Sequence, residues 1–205
     1  MPSSNKIAFI DVDTQVDFML PEGRLYVPAA ETIIPNLSRL TKFALDHRVP
    51  VVSSVDAHTP DDPEFRQFPP HCVKGTPGQQ KIPETLLPLR TLLINEEQPP
   101  IHDEEFAGVQ QWMLEKQKFD LFTNVNADAL LRRLAAGRYI VFGVATEYCV
   151  KAAVLGLLRL GKPVSLVLDA IRGIERVGTE TALAEMKTAG AHLTTVREIT
   201  AELAA

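Results

Sequence analysis

Short apolar runs that alternate with stretches of helical period leave this chain few folds to choose from. Ile7–Val12, Pro50–Val55, Arg138–Val144 and Val164–Leu168 have strand length and are apolar almost throughout. Runs of that kind are buried on both faces, as in parallel sheets. Between them, Ala29–His47 repeats apolar residues with a helical period, placing Ile33, Leu37, Leu40 and Ala44 on one face. Pro35 fits that helix only in its first turn. Asn126–Ala136, Glu147–Leu160 and Thr179–Ala189 read as further helices. Val109–Lys116 reads as a strand or a short helix, with strand preferred at its end, Thr91–Pro100 as a strand or hairpin, and His192–Val196 as a closing strand. This alternation predicts a three-layer α/β/α fold with a mainly parallel central sheet. The 205 residues suffice for one domain, 1–205, with a sizeable core.

Composition narrows the partners. The net charge is −5 with no clustered basic residues, so no nucleic-acid partner is expected. No apolar run has the length of a membrane span, and the first residues lack the apolar core of a secretory signal. Two cysteines far apart make no disulfide framework. A reducing cytoplasm is the expected compartment. The partners expected are a small molecule and further copies of the chain. The stretch Thr91–Phe106 reads as an insertion suited either to covering a site or to contacting another subunit.

Ligands of open parallel sheets bind beyond the carboxyl ends of the strands. Here those ends carry Asp11 and Asp13, then Asp56 and His58, then Gly143–Ala145. Cys149 follows in what reads as the first turn of a helix, where unpaired N–H groups favour a thiolate and can hold an oxyanion. A carboxylate such as Asp13 or Asp17 can take a thiol proton and return it to a leaving amine. Asp56, His58 and His71, with Glu64 as a fourth donor, form a set suited to zinc, iron or manganese. His47, His102 and His192 read as structural. A cation from the stretch around Lys116 would stabilise the thiolate, with Lys118 a competitor. No Gly-x-Gly-x-x-Gly and no P-loop is present, so a nucleotide cofactor is not expected.

Four segments together resemble the isochorismatase-like cysteine hydrolases, and within them the nicotinamidase/pyrazinamidase branch. They are Asp13-Thr-Gln-Val-Asp-Phe18, Asp56-Ala-His58, Phe68-Pro-Pro-His71-Cys-Val-Lys-Gly-Thr-Pro-Gly78 and Gly143-Val-Ala-Thr-Glu-Tyr-Cys149-Val. The third is the most specific to nicotinamidases; the fourth belongs to the wider superfamily. The resemblance implies a catalytic triad of Asp13, Lys116 and Cys149. Lys116 is preferred because Phe119 and Phe122 follow it at the family spacing. It further implies a divalent metal, zinc before iron or manganese, on Asp56, His58, His71 and Glu64. Backbone N–H groups of Ala145 and Cys149 would form the oxyanion hole, with a cis peptide before Ala145. Phe18 and Phe68 would line a ring pocket, and Cys72 would be packing. The implied reaction is hydrolysis of nicotinamide through a cysteine thioester. Ala57 in place of a common Trp, Pro63-Glu64-Phe65 in place of His-x-Ser-Phe, and a short lysine loop depart from the family pattern. They keep open another small amide or carbamoyl compound. A thiol sensor on the same scaffold is the alternative of another class.

Overall fold

The computed structural model describes residues 6–97 and 102–204. Seven strands form one sheet, in the order β3-β4-β2-β1-β5-β6-β7. They are β1 (Ile7–Val12), β2 (Val51–Asp56), β3 (Arg90–Leu93), β4 (Gln111–Lys116), β5 (Arg138–Val144), β6 (Val164–Arg172) and β7 (His192–Thr194). Every pairing is parallel. The chain builds outward from β1 in one direction through β2 and in the other through β5, so the sheet order reverses there.

Among the described residues, seven α-helices accompany the sheet: α1 (Val16–Met19), α2 (Ile34–His47), α3 (Asp103–Gly108), α4 (Ala127–Leu134), α5 (Lys151–Arg159), α6 (Arg176–Thr188) and α7 (Val196–Ala204). Alternation along the strands divides the core in two. Ala8, Ile10, Val12, Tyr139 and Val141 face α4, α5 and α6, meeting Leu130, Leu131, Val154, Leu157 and Met186. Phe9, Ile140, Phe142 and Val144 face α2 and α7, meeting Leu37, Leu40, Ala44 and Ile199. No helix among the described residues is long and apolar enough to cross a membrane.

Several boundaries differ from the sequence reading. The helix expected from Ala29 opens as a 3-10 turn, Ala30–Ile33, and becomes α2 with Pro35 in its first turn, where a missing N–H costs nothing. The segment before α5, Thr146–Val150, is a wide π-helical turn rather than regular α-helix. Strand β7 stops at Thr194, and Val196 instead starts α7, whose Val196 and Ile199 are buried. The Thr91–Phe106 stretch supplies β3 and the start of α3, where Phe106 stacks on Trp112 at 4.9 Å. Residues 98–101 of that stretch lie outside the described residues.

Gly143, the penultimate residue of β5, is required by its surroundings. Its φ is +119°, and a Cβ there would stand 2.1 Å from the carbonyl oxygen of Val12, the residue before Asp13. Gly143→Ala is therefore expected to cost at least about 2 kcal/mol, from backbone strain and overpacking together. Urea unfolding measures this. An unchanged midpoint would contradict the close approach of β5 to the end of β1.

Candidate active site

Strand ends place the polar groups. Asp56 is the last residue of β2 and Lys116 the last of β4, and the two are paired in register. Asp13 follows β1 directly, with its backbone in the left-handed region at φ +49°. Cys149 lies in the wide turn after β5, beyond the Val144–Ala145 peptide, which is cis. All four side chains are buried.

Lys116 is the hub. Its Nζ lies 2.8 Å from Asp13 Oδ2, 2.5 Å from Asp56 Oδ1 and 3.6 Å from Cys149 Sγ. Ser54 Oγ donates to Asp13 Oδ1 at 2.6 Å. Lys118, the competitor, is exposed.

Burial alone would lower the Lys116 pKa, but the carboxylates of Asp13 and Asp56 outweigh it and hold the ammonium well above the usual lysine range. At Asp13 burial prevails over the opposing Lys116 charge, and the nearby Asp56 adds to it, so this carboxylate is raised. At Asp56 burial is outweighed by Lys116 and His58, leaving it lowered. Cys149 departs from the sequence expectation of a depressed thiol. Burial pushes it well above the ordinary thiol range, and Lys116 offsets this only in part. At rest the site therefore favours a thiol beside a carboxylate rather than a preformed thiolate.

A second cluster adjoins the first through Asp56. Ligand atoms of Asp56, His58 and His71 all lie within 4.8 Å of one another. The Nδ1 atom of His58 pairs with Asp62 Oδ2 at 3.0 Å, and that of His71 with the Pro69 carbonyl at 2.8 Å. Those partners turn both Nε2 atoms toward Asp56, at 3.8 and 3.9 Å from its Oδ2. His58 Nε2 is buried and has no hydrogen-bond partner among the described residues. A buried nitrogen without a partner, facing a second imidazole and a carboxylate, fits a divalent cation. Glu64 stands beside this trio rather than in it, with Oε1 3.8 Å from His71 Nε2.

A small cavity opens between the clusters. Phe18, Phe68, Leu25, Val27 and Ile174 line its apolar walls, and the ring of Phe18 lies 5.4 Å from that of His71. Ala145 lines it beside Cys149. Phe68, Phe119 and Tyr148 touch one another with ring separations of 5.3–6.2 Å. Asp17 lies elsewhere: its carboxylate accepts from the N–H groups of Arg24 and Cys72, which fixes loops and leaves it no part in proton transfer. Cys72 is buried in the core beneath α1 and α2.

Sequence reasoning did not single out Gln15, Ser54 or Asp62. Gln15 accepts from the Asp56 N–H at 2.7 Å and donates to the Asp56 carbonyl at 2.9 Å, clamping that residue's backbone. Nothing in residue type alone marks these three. Asp62, four residues after His58, carries the one usable signal, a carboxylate within reach of a candidate ligand's second nitrogen.

A parallel α/β sheet bearing a cysteine–lysine–aspartate cluster beside a His/His/Asp cluster defines a hydrolase-like site. The chain belongs to the isochorismatase family, whose domain matches residues 7–198. It is 27% identical to a nicotinamidase of Escherichia coli, over 93% of this chain and 95% of that one. It is 28% identical to a nicotinamidase/pyrazinamidase of Mycobacterium tuberculosis, over 91% and 97%. The crystal structure of a pyrazinamidase of Pyrococcus horikoshii in complex with zinc superposes with a TM-score of 0.76 at 29% identity, covering 93% of this chain and 99% of that one.

Asp62→Ala is expected to weaken zinc binding about 10–100-fold by freeing the His58 ring. Competition against a chromogenic chelator measures the affinity. Equal affinities for the two proteins would remove Asp62 from the account.

Proposed function

We propose that this protein is an amidohydrolase that converts nicotinamide to nicotinic acid and ammonia, with Cys149 as nucleophile. The observation that carries the reading is the 3.6 Å contact of Cys149 Sγ with a lysine ammonium that also pairs with Asp13 at 2.8 Å. Asp13, raised by burial, takes the thiol proton. The Lys116 charge offsets the penalty of forming a thiolate in this buried place. Cys149 Sγ attacks the carboxamide carbon, and the carbonyl electron pair moves onto oxygen. The N–H groups of Ala145 and Cys149 hold that oxyanion. Its collapse breaks the C–N bond, and Asp13 returns its proton to the departing ammonia. Water, deprotonated by Asp13, then attacks the thioester and releases nicotinate and the thiol.

Asp56, His58 and His71, with Glu64 as a further donor, would hold a divalent ion, zinc in the first place, which when bound supplies a Lewis-acid anchor for the ring nitrogen. The zinc complex of the Pyrococcus horikoshii relative supports zinc over iron or manganese. Phe18 and Phe68 hold the ring. The apolar walls beside two polar clusters suit a small ring amide.

Ammonia release from nicotinamide by the zinc-loaded protein tests the reading. Cys149→Ala is expected to lose at least about 10³-fold in kcat while keeping its fold. Near-normal turnover in that variant would refute the mechanism. Cys149-dependent release from another small amide or a carbamoyl compound, with none from nicotinamide, would keep the chemistry and replace the substrate.

A further inference from the structure

Lys81 is charged, lies outside the cavity lining and is almost wholly buried. Its Nζ lies 2.6 Å from Asp11 Oδ2, another buried charge. A buried pair is tolerated when every remaining donor and acceptor is met, and here the bonds run in one direction. Asp11 accepts from Thr14 Oγ1 at 2.9 Å, from Ser53 Oγ at 3.0 Å and from Lys81. Lys81 donates a second time, to Thr14 Oγ1 at 2.6 Å. Thr85 Oγ1, which donates to the Ile82 carbonyl at 3.2 Å, lies 2.8 Å from Thr14 Oγ1 and completes its surroundings. Gln111 closes the circuit by donating to Ser53 Oγ at 2.9 Å and to the Thr85 carbonyl at 2.8 Å.

The network lies behind the reacting groups. Ser53 and Ser54 are consecutive in β2, so their side chains point to opposite faces of the sheet. Ser53 holds Asp11 on one face, and Ser54 holds Asp13 on the other. The Asp11–Thr14 bond therefore spans the one residue of this turn whose backbone is left-handed, Asp13 at φ +49°. Asp is among the few residues with a Cβ that adopt this conformation, and it does so where local hydrogen bonds support it. The segment bearing Lys81 runs antiparallel along the same turn. Val16 N–H donates to the Gln80 carbonyl at 2.8 Å, and Ile82 N–H to the Thr14 carbonyl at 3.0 Å.

We propose that Lys81 is a positioning residue for Asp13: by pairing with Asp11 and fixing the Thr14 hydroxyl, it holds the turn that brings the Asp13 carboxylate to Lys116 and the Cys149 thiol. The inference rests on Asp13 being the base in the reaction above. It predicts that loss of the Lys81 ammonium or of the Thr14 hydroxyl misplaces Asp13 without altering the ring pocket or the metal residues.

Three variants test this: Lys81→Met, Thr14→Val and Thr14→Ser. For each, kcat and KM for ammonia release from nicotinamide are measured, with the alkylation rate of Cys149 by iodoacetamide, read by peptide mass spectrometry. Lys81→Met and Thr14→Val are expected to lose about 10–100-fold in kcat, as small displacements of a reacting group do. Their alkylation rates should depart from that of the wild type, with KM unchanged, and Thr14→Ser should restore both rates. Normal kcat and alkylation per folded molecule in Thr14→Val, even with a lowered melting temperature, would overturn the proposal. So would a Thr14→Ser variant as impaired as Thr14→Val. If Lys81→Met fails to fold, the Thr14 pair decides alone. Should the wild type release no ammonia from nicotinamide while alkylation follows the predicted pattern, the substrate reading fails and the positioning role stands.

Discussion

The ammonium of Lys116, fully buried between two carboxylates and a thiol, is the constraint around which this site is arranged. Removing such a charge from water costs several kcal/mol, and only close opposite charges offset it. Asp13 and Asp56 supply them from the ends of two other strands. The lysine in turn lets two carboxylates stand near each other in a buried place. Asp56 turns one oxygen to Lys116 and the other toward His58 and His71. The thiol half and the His/His/Asp half therefore share one residue, Asp56.

The parallel sheet makes that sharing possible. Strands β4, β2, β1 and β5 are consecutive in the sheet and all end at the same edge. Groups from residues 13, 56, 116 and 149 meet there although more than a hundred residues separate the first from the last. The sheet order reverses at β1, where open α/β sheets form their crevice. Close packing of Gly143 against Val12 draws the β5 end, and with it the Cys149 turn, onto the β1 end that carries Asp13.

Much of this was legible in the sequence, for identifiable reasons. The strands of the sheet centre announce themselves because burial on both faces leaves them apolar throughout. Lys116 was separable from Lys118 only through the family spacing of Phe119 and Phe122; the structure supplies the physical reason, one lysine buried at a strand end and the other exposed. The short α1 and the terminal α7 escaped notice. Four residues carry no helical period, and α7 begins at Val196, whose apolar side chain had extended the preceding strand pattern. The thiol expectation failed for a different reason. A helix start argues for a depressed pKa only where water or N–H groups reach the sulfur, whereas Cys149 is buried in a wide turn. Gln15, Ser54, Asp62 and the Asp11–Lys81 network were illegible because their meaning lies in contacts between distant segments.

The most direct test of the central claim is to catch the reaction part-way. Zinc-loaded protein turning over nicotinamide is quenched in acid at millisecond to second intervals, digested and examined by mass spectrometry. The account predicts a transient mass increment of one nicotinoyl group on the peptide that contains Cys149. An increment on the peptide containing Cys72, or ammonia released while neither cysteine ever carries the group, would contradict it.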